Sequence, residues 1–219
     1  ETEAEGVQLS GAKLCRAVAP GLVLTAPVAD LSGARVPGLV AKGLDLSRCA
    51  MVGADLSGAT FEEVVFGSEQ LRDVDFTESN LIKCHFVGGT LSGARLRHAT
   101  FFDCDLREAN LTGAELTSTS FVESRLDGAR FEAMELPIPV FVKSSLRGTS
   151  FARSHLDRVR MIEVDTHEMS LAGATLTQAT FYQADFRAVD LTETTLDRCI
   201  LVESRFGARD LSGLVAPYG

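Results

Sequence analysis

The residues best suited to chemistry in this sequence are its five cysteines and four histidines. Thiolates and imidazoles bind zinc, and a thiolate can also act as a nucleophile or form a disulfide. The sequence contains no G-x-S-x-G, H-E-x-x-H, P-loop or G-x-G-x-x-G motif that would give these side chains a familiar catalytic setting. Whether any of them can act together therefore depends on the elements that position them.

The sequence indicates those elements through an apolar residue at every fifth position, a spacing that suits neither a helix nor a strand. The stretch DLREANLTGAEL (105–116) shows it, with Leu106, Leu111 and Leu116 five residues apart. From residue 31 to residue 211 the lattice keeps its phase, and Leu or Phe fills almost every position. The remaining lattice residues are Val36, Ala41, Met51, Met161 and Thr166. The chain must therefore bend at a fixed interval around a narrow interior.

Units such as ADLSG (54–58), ANLTG (109–113) and ADFRA (184–188) resemble the A-D/N-L-x-x repeats of the pentapeptide-repeat family, over essentially the whole chain. The resemblance implies an all-β fold, a right-handed quadrilateral parallel β-helix in which four pentapeptides form one coil. A lag of twenty residues independently supports four sides, because it aligns glycines that would suit a tight turn with positive φ. They are Gly33, Gly53, Gly93, Gly113, Gly173 and Gly213. About ten coils, stacked about 4.8 Å apart, are expected.

Three segments are predicted along this solenoid. Residues 1–30 form an irregular N-terminal segment and first coil, residues 31–213 the regular β-helix, and residues 214–219 a short tail. Two stretches break the pattern: ELPIPVF (135–141) contains two prolines, and EVDTHEMS (163–170) places a threonine in the core. A local bulge is expected at each. The chain opens without a methionine and is expected to be a processed form or a piece of a longer protein.

The lattice gives the cysteines a structural interpretation. Cys49, Cys84, Cys104 and Cys199 occupy the small inward position where Ala is commonest, so we expect reduced, buried thiols that act as small hydrophobes. Cys15 lies outside the pattern. The histidines, which fall in different columns or distant coils, are His85, His98, His155 and His167. We expect no metal, no cofactor and no enzyme activity.

Charge limits the partners. A net charge of -9 argues against binding nucleic acid by neutralising phosphates. Some members of the family that the chain resembles mimic DNA and bind DNA gyrase, which makes gyrase the alternative partner. A continuous acidic face would favour that alternative, but one column is broken by lysines and another face carries Arg107, Arg147 and Arg187. The broken column is Glu63, Lys83, Asp103, Glu123, Lys143, Glu163, Gln183 and Glu203. No membrane span is evident, and a cytoplasmic location is expected.

One outward column is apolar, and we call it the apolar stripe. Its members, each twenty residues apart and each directly after a lattice residue, are Ile82, Phe102, Val122, Val142, Ile162, Tyr182 and Val202. Such residues also suit any extended ladder, whatever they face. The alternative interpretation is a contact surface for a partner protein or a second copy. The sequence therefore predicts a non-enzymatic protein-binding or scaffold module, free-standing or part of a larger effector or adaptor protein.

Overall fold

The computed structural model describes residues 13–14, 18–68 and 71–206, and these form a parallel β-solenoid with four sides, as predicted. In chain order its elements are β1 (Val23–Leu24), β2 (Val40–Lys42), β3 (Asp45–Leu46), β4 (Thr60–Glu62), β5 (Val65–Phe66), β6 (Asn80–Ile82), β7 (Thr100–Phe102), β8 (Ser120–Val122), β9 (Glu135–Pro137), β10 (Val140–Val142), β11 (His155–Asp157), β12 (Arg160–Ile162), β13 (Thr175–Thr177), β14 (Thr180–Tyr182), the 3-10 turn η1 (Phe186–Ala188), β15 (Thr195–Asp197) and β16 (Ile200–Val202).

One side of the solenoid is a ten-stranded parallel sheet in the order β1-β2-β4-β6-β7-β8-β10-β12-β14-β16. A second side carries the four-stranded sheet β9-β11-β13-β15, and β3 pairs with β5 on a third. Isolated parallel bridges such as Asn110 to Arg130 continue the pairing between these sheets. Because each residue pairs with the one twenty positions away, as Phe101 does with Phe121, every column of the sequence becomes a straight ladder.

The five-residue lattice forms the core. Leu106 and Phe121 are both fully buried, as are nearly all the lattice residues of the described coils. Phenylalanines one coil apart stack with nearly parallel rings: the centroids of Phe101 and Phe121 are 4.9 Å apart, and those of Phe121 and Phe141 are 5.2 Å apart. Each coil therefore depends on the coils above and below it for its apolar burial.

Tight turns close most corners. In the coil that contains Leu56, the Ala59 N–H donates to the Leu56 carbonyl (3.1 Å), and Gly58 has a φ of 65°. The glycine column has the positive φ that the sequence predicts, as at Gly33 (60°) and Gly113 (75°); Gly213 lies outside the described residues. In this column Asp73 also has positive φ (56°), so glycine is favoured there but not required.

The first coil is shorter than the others. Val23 pairs with Val40, a step of 17 residues. Leu14, Ala19 and Leu24 keep the five-residue step, but the next lattice residue, Leu31, comes seven residues later. The segment around Pro27 therefore omits part of one side. Residues 1–12 and 207–219 lie outside the described part of the chain, and the predicted outer segment boundaries remain predictions.

The first predicted irregularity is an interruption of the ladder rather than a bulge. Strand β9 keeps its register, and Leu136 is buried. Pro139 has no N–H, so it cannot make the turn bond that Thr119 donates to Leu116 (3.1 Å) one coil earlier. From Pro139 onward the turns on this side are open, and β9, β11, β13 and β15 occupy the side that carried closed turns before.

Opening of the turn separates two coils locally. One coil earlier, Leu96 N–H donates to Glu115 O (2.8 Å), but no equivalent bond joins Leu116 to Glu135. A shallow surface pocket of about 460 Å³ occupies the gap, with Arg97, Met134 and Pro137 in its lining. The proline pair therefore acts on the backbone contacts of this side and leaves the core in register.

The second irregularity lies at Thr166, whose hydroxyl is buried and donates to the Asp185 carbonyl at 2.5 Å. Glu168 N–H then bonds Ala188 O (3.1 Å), a step of twenty, whereas Gly148 N–H bonds His167 O one coil earlier, a step of nineteen. The turn η1 accommodates this shift of one bond, and the coil keeps its twenty residues, since Ser170 pairs with Asp190. The irregularity predicted for residues 163–170 therefore takes the form of a one-residue shift in a bond to the following coil.

Because Phe121 stacks between two other rings, we expect Phe121→Ala to lower the free energy of unfolding by about 3–5 kcal/mol. The control is Phe102→Ala. Phe102 occupies the outward position directly after the inward Phe101 and is 38% exposed, so its replacement should lower the free energy of unfolding by about 1 kcal/mol or less. Urea unfolding followed by circular dichroism measures both. Equal losses for the two variants would contradict the assignment of the inward and outward positions.

Candidate partner-binding face

The apolar stripe forms one continuous ladder on the ten-stranded sheet. Each of its residues is the last residue of its strand, and each pairs directly with the next: Ile82 with Phe102, Phe102 with Val122, Val122 with Val142, Val142 with Ile162, Ile162 with Tyr182, and Tyr182 with Val202. The structure therefore brings all seven predicted site residues together in one row.

The row is accessible from outside. Phe102 and Val202 are the most exposed members, at 38% and 40%, and the other five are partly covered by the side chains above and below them. The same column begins with Lys42 and Glu62, whose side chains form a 2.7 Å ion pair, and this bond raises the pKa of Lys42. The apolar surface thus starts abruptly at Ile82.

Buried polar side chains support this face from inside, a feature that the sequence interpretation missed. Its turns are open, so their N–H groups need other acceptors. Cys84 N–H donates to Cys104 Sγ (3.4 Å), Cys104 N–H to Ser124 Oγ (3.1 Å), and Ser124 N–H to Ser144 Oγ (3.1 Å). The signal in the sequence was the run of Cys and Ser two residues after the stripe, where other sides often have Ala.

A charged column runs along one edge of the stripe. It comprises Glu63 and the residues directly after each stripe residue, from Lys83 to Glu203. Its members are exposed with positive φ, as at Glu123 (52°) and Lys143 (49°). Positive φ turns the chain at the corner, so these side chains border the face. We call this column, from Glu63 to Glu203, the charged edge.

The arginines of the neighbouring side are paired with carboxylates. Arg107 contacts Asp105 at 2.6 Å, and Arg147 contacts Asp165 at 3.1 Å. The hydrogen bond from Arg187 lowers the pKa of Asp185 to about 2. This side is therefore a mixture of neutralised pairs rather than a cationic or an anionic surface.

The four cysteines within the described residues are free. Cys49, Cys84 and Cys104 are buried, as predicted, and Cys199 is only partly so; Cys15 lies outside the described residues. Burial raises the pKa of Cys49 to about 11 and raises that of Cys199. The hydrogen bond with Cys84, together with burial, raises the pKa of Cys104.

The histidines lie on the surface in separate places. His155 Nδ1 is 3.2 Å from a Glu135 carboxylate oxygen, and His167 Nε2 is 3.8 Å from Glu168. Within the described ranges, no group of three or more His, Cys, Asp or Glu side chains could hold a metal ion. The same residues include no helix that is long and apolar enough to cross a membrane.

Comparisons with known proteins agree with the repeat pattern. Residues 54–131 match the family described as "Pentapeptide repeat region", and residues 29–66 and 170–207 match "Pentapeptide repeats (8 copies)". No match is found among curated proteins.

Solved structures of two repeat proteins resemble the chain. One is QnrB1, a plasmid-mediated fluoroquinolone resistance protein, at 19% identity and a TM-score of 0.34, covering 88% of this chain and 93% of QnrB1. The other is HetL, a pentapeptide repeat protein involved in heterocyst differentiation regulation from the cyanobacterium Nostoc sp. strain PCC 7120. HetL is 21% identical with a TM-score of 0.27, covering 97% of this chain and 92% of HetL.

The burial of the thiols predicts their reactivity. Because the thiolate is the reactive form, Cys49 and Cys104 should react slowly with Ellman's reagent at pH 8 in the folded state. After denaturation without reductant, all five thiols should react. Fewer than five would reveal a disulfide, and rapid native modification of Cys104, located by mass spectrometry, would contradict its burial.

The charge distribution predicts weak or no inhibition of DNA gyrase. Lysines interrupt the charged edge, and the arginines of the next side neutralise their carboxylates, so no described face presents a continuous negative surface. A supercoiling assay at low salt, where charge is least screened, is the most permissive test. Strong inhibition at submicromolar protein would contradict this expectation and support the DNA-mimic alternative.

Proposed function

Because the chain belongs to the pentapeptide-repeat family, we propose that it is a rigid, non-enzymatic protein-binding module that contacts another protein through the apolar stripe. The observation that carries the proposal is the unbroken register of seven apolar side chains on one parallel sheet. No catalytic role is assigned to any residue, and gyrase remains the alternative partner.

The stripe differs from the equivalent columns on the other sides. The residues that follow the lattice residue there include Arg97, Asp157 and Arg107, and these columns mix charged, polar and small side chains. Exposed valines occur on the other sides as well, such as Val52 and Val87, but they stand singly, and single exposed apolar residues are ordinary on a soluble protein. A contiguous row is the arrangement associated with an interaction site.

The solenoid makes this row rigid. Each stripe residue lies on a strand that is paired on both sides, except for Val202 on the terminal strand β16, and the Cys and Ser ladder ties successive coils beneath it. A partner that binds this face would therefore cause little ordering of the rod itself, which keeps the entropic cost of association low.

The test replaces two stripe residues with charges of the same sign, in the double variant Phe102→Lys and Val142→Lys. Both side chains point outward, so folding should change by about 1 kcal/mol or less, whereas binding through the face should be lost. The readouts are the solution mass and the set of proteins retained from a lysate by the immobilised rod.

The matched control is Val52→Lys with Val87→Lys, which places the same charges on isolated exposed valines of other sides. We expect the control to keep the mass and the retained proteins of the unaltered chain. If the stripe variant behaves like the control in both measurements, the stripe reflects strand propensity alone and the proposal is wrong.

A further inference from the structure

We infer that the partner of this face is a second copy of the chain, packed face to face and antiparallel. The two-fold axis would lie between the two sheets, parallel to strand β8 and level with Val122; we call it the axis through Val122. The inference rests on the proposed use of the apolar stripe and adds the occupant and its register. It is carried by the order of charges on the charged edge together with the extent of the stripe.

The charges are antisymmetric about Glu123. One coil away, Asp103 on one side corresponds to Lys143 on the other; two coils away, Lys83 corresponds to Glu163. An antiparallel two-fold axis brings these corresponding positions of two chains opposite each other. Each Lys83 would then face the Glu163 of the other copy, and each Asp103 the other Lys143. Packed sheets are about 10 Å apart, a gap that a lysine and a glutamate can span together.

The same axis matches apolar with apolar. Ile82 faces Ile162, Phe102 faces Val142, and Val122 faces its own symmetry mate. Beyond this centre, Glu62 faces the hydroxyl-bearing Tyr182. Five consecutive rows of the stripe are thus buried against each other with charged pairs along the edge, which is the arrangement of an apolar centre with a polar rim.

Other positions of the axis fit less well. An axis through Val142 would place Lys143 against Lys143 and Glu123 against Glu163. An axis through Phe102 would match Lys83 with Glu123 and Glu63 with Lys143 along the edge. It would, however, place the ion-paired Glu62 and Lys42 against Val142 and Ile162, so only three apolar rows would be matched. Axes midway between coils would oppose Lys83 to Lys143, or Asp103 to Glu163. Like charges placed opposite each other cost affinity, so the edge disfavours the axes through Val142 and between coils. The longer apolar match then favours the axis at Val122 over the axis at Phe102.

The size of the contact is that of a small, weak interface. With the axis at β8, nine of the ten strands of the sheet overlap, over about 40 Å at about 4.8 Å per coil. A strip about 15 Å wide would bury roughly 600 Å² on each chain, the lower end of specific interfaces. We therefore expect a dimer that dissociates in the micromolar range, with twice the 23.5 kDa mass of the chain at high concentration.

The decisive experiment is a charge exchange at Lys83 and Glu163, followed by sedimentation equilibrium from about 1 to 100 μM. Lys83→Glu or Glu163→Lys alone should raise the dissociation constant about tenfold or more, because each creates two like-charge contacts. The double exchange should restore it. Within one chain the two residues are four coils, about 19 Å, apart, so the restoration must arise between chains.

Glu123 gives a second, independent readout, since it is the edge residue that faces its own copy. Glu123→Gln should lower the dissociation constant, whereas an axis through Phe102 would place Glu123 opposite Lys83 and predicts the reverse. The matched controls are Arg153→Glu and Glu193→Lys, exposed residues with positive φ on the opposite side, which should leave association unchanged.

The outcomes separate this inference from the proposed function. A monomer at 100 μM, or single charge variants with no rescue by the double exchange, would overturn the antiparallel dimer. If the Phe102→Lys and Val142→Lys variant still loses retained proteins in that case, the face serves a different partner. If neither set of variants has an effect, both proposals fail.

Discussion

The hydrogen-bond ladder between successive coils is the constraint on which the rest of this structure depends. Because Phe101 lies over Phe121 and Ile82 over Phe102, a residue type repeated at an interval of twenty becomes a straight row on the molecule. The core, the thiols and the apolar stripe are all rows of this kind. Each coil contacts only its neighbouring coils, yet the stacked coils together form a continuous surface many coils long.

Two interruptions of the ladder in the described coils arise where the chemistry of one residue removes a bond or replaces it. Pro139 cannot donate an N–H, and the turns of its side stay open in the coils that follow. At Thr166 a side-chain hydroxyl, not a backbone N–H, reaches the Asp185 carbonyl, and the bond that Glu168 N–H donates to the next coil shifts by one residue to Ala188. Both interruptions lie outside the ten-stranded sheet, so the face that carries the stripe remains regular.

Periodicity made much of this predictable from the sequence. A five-residue repeat identifies inward residues such as Leu106, and a lag of twenty identifies the members of the stripe, because both depend only on position. Details that depend on contacts between side chains and backbone groups were not predictable in this way. The open turns after Pro139 require knowledge of which N–H closes each corner. The pairing of Arg107 with Asp105 changes the apparent charge of a side, although the recurring D-x-R spacing was a signal for it.

The most direct test of the account is a distance between two copies, measured by pulsed electron paramagnetic resonance with a spin label at Gln183. The accessible native cysteines would be replaced first. Gln183 lies three coils from the axis, so an antiparallel pair places the two labels six coils, about 30 Å, apart along the rod. A label at Glu203 should lengthen this separation to about 40 Å. Equal distances for the two labels, as in a parallel pair, or no intermolecular distance at all, would contradict the antiparallel dimer.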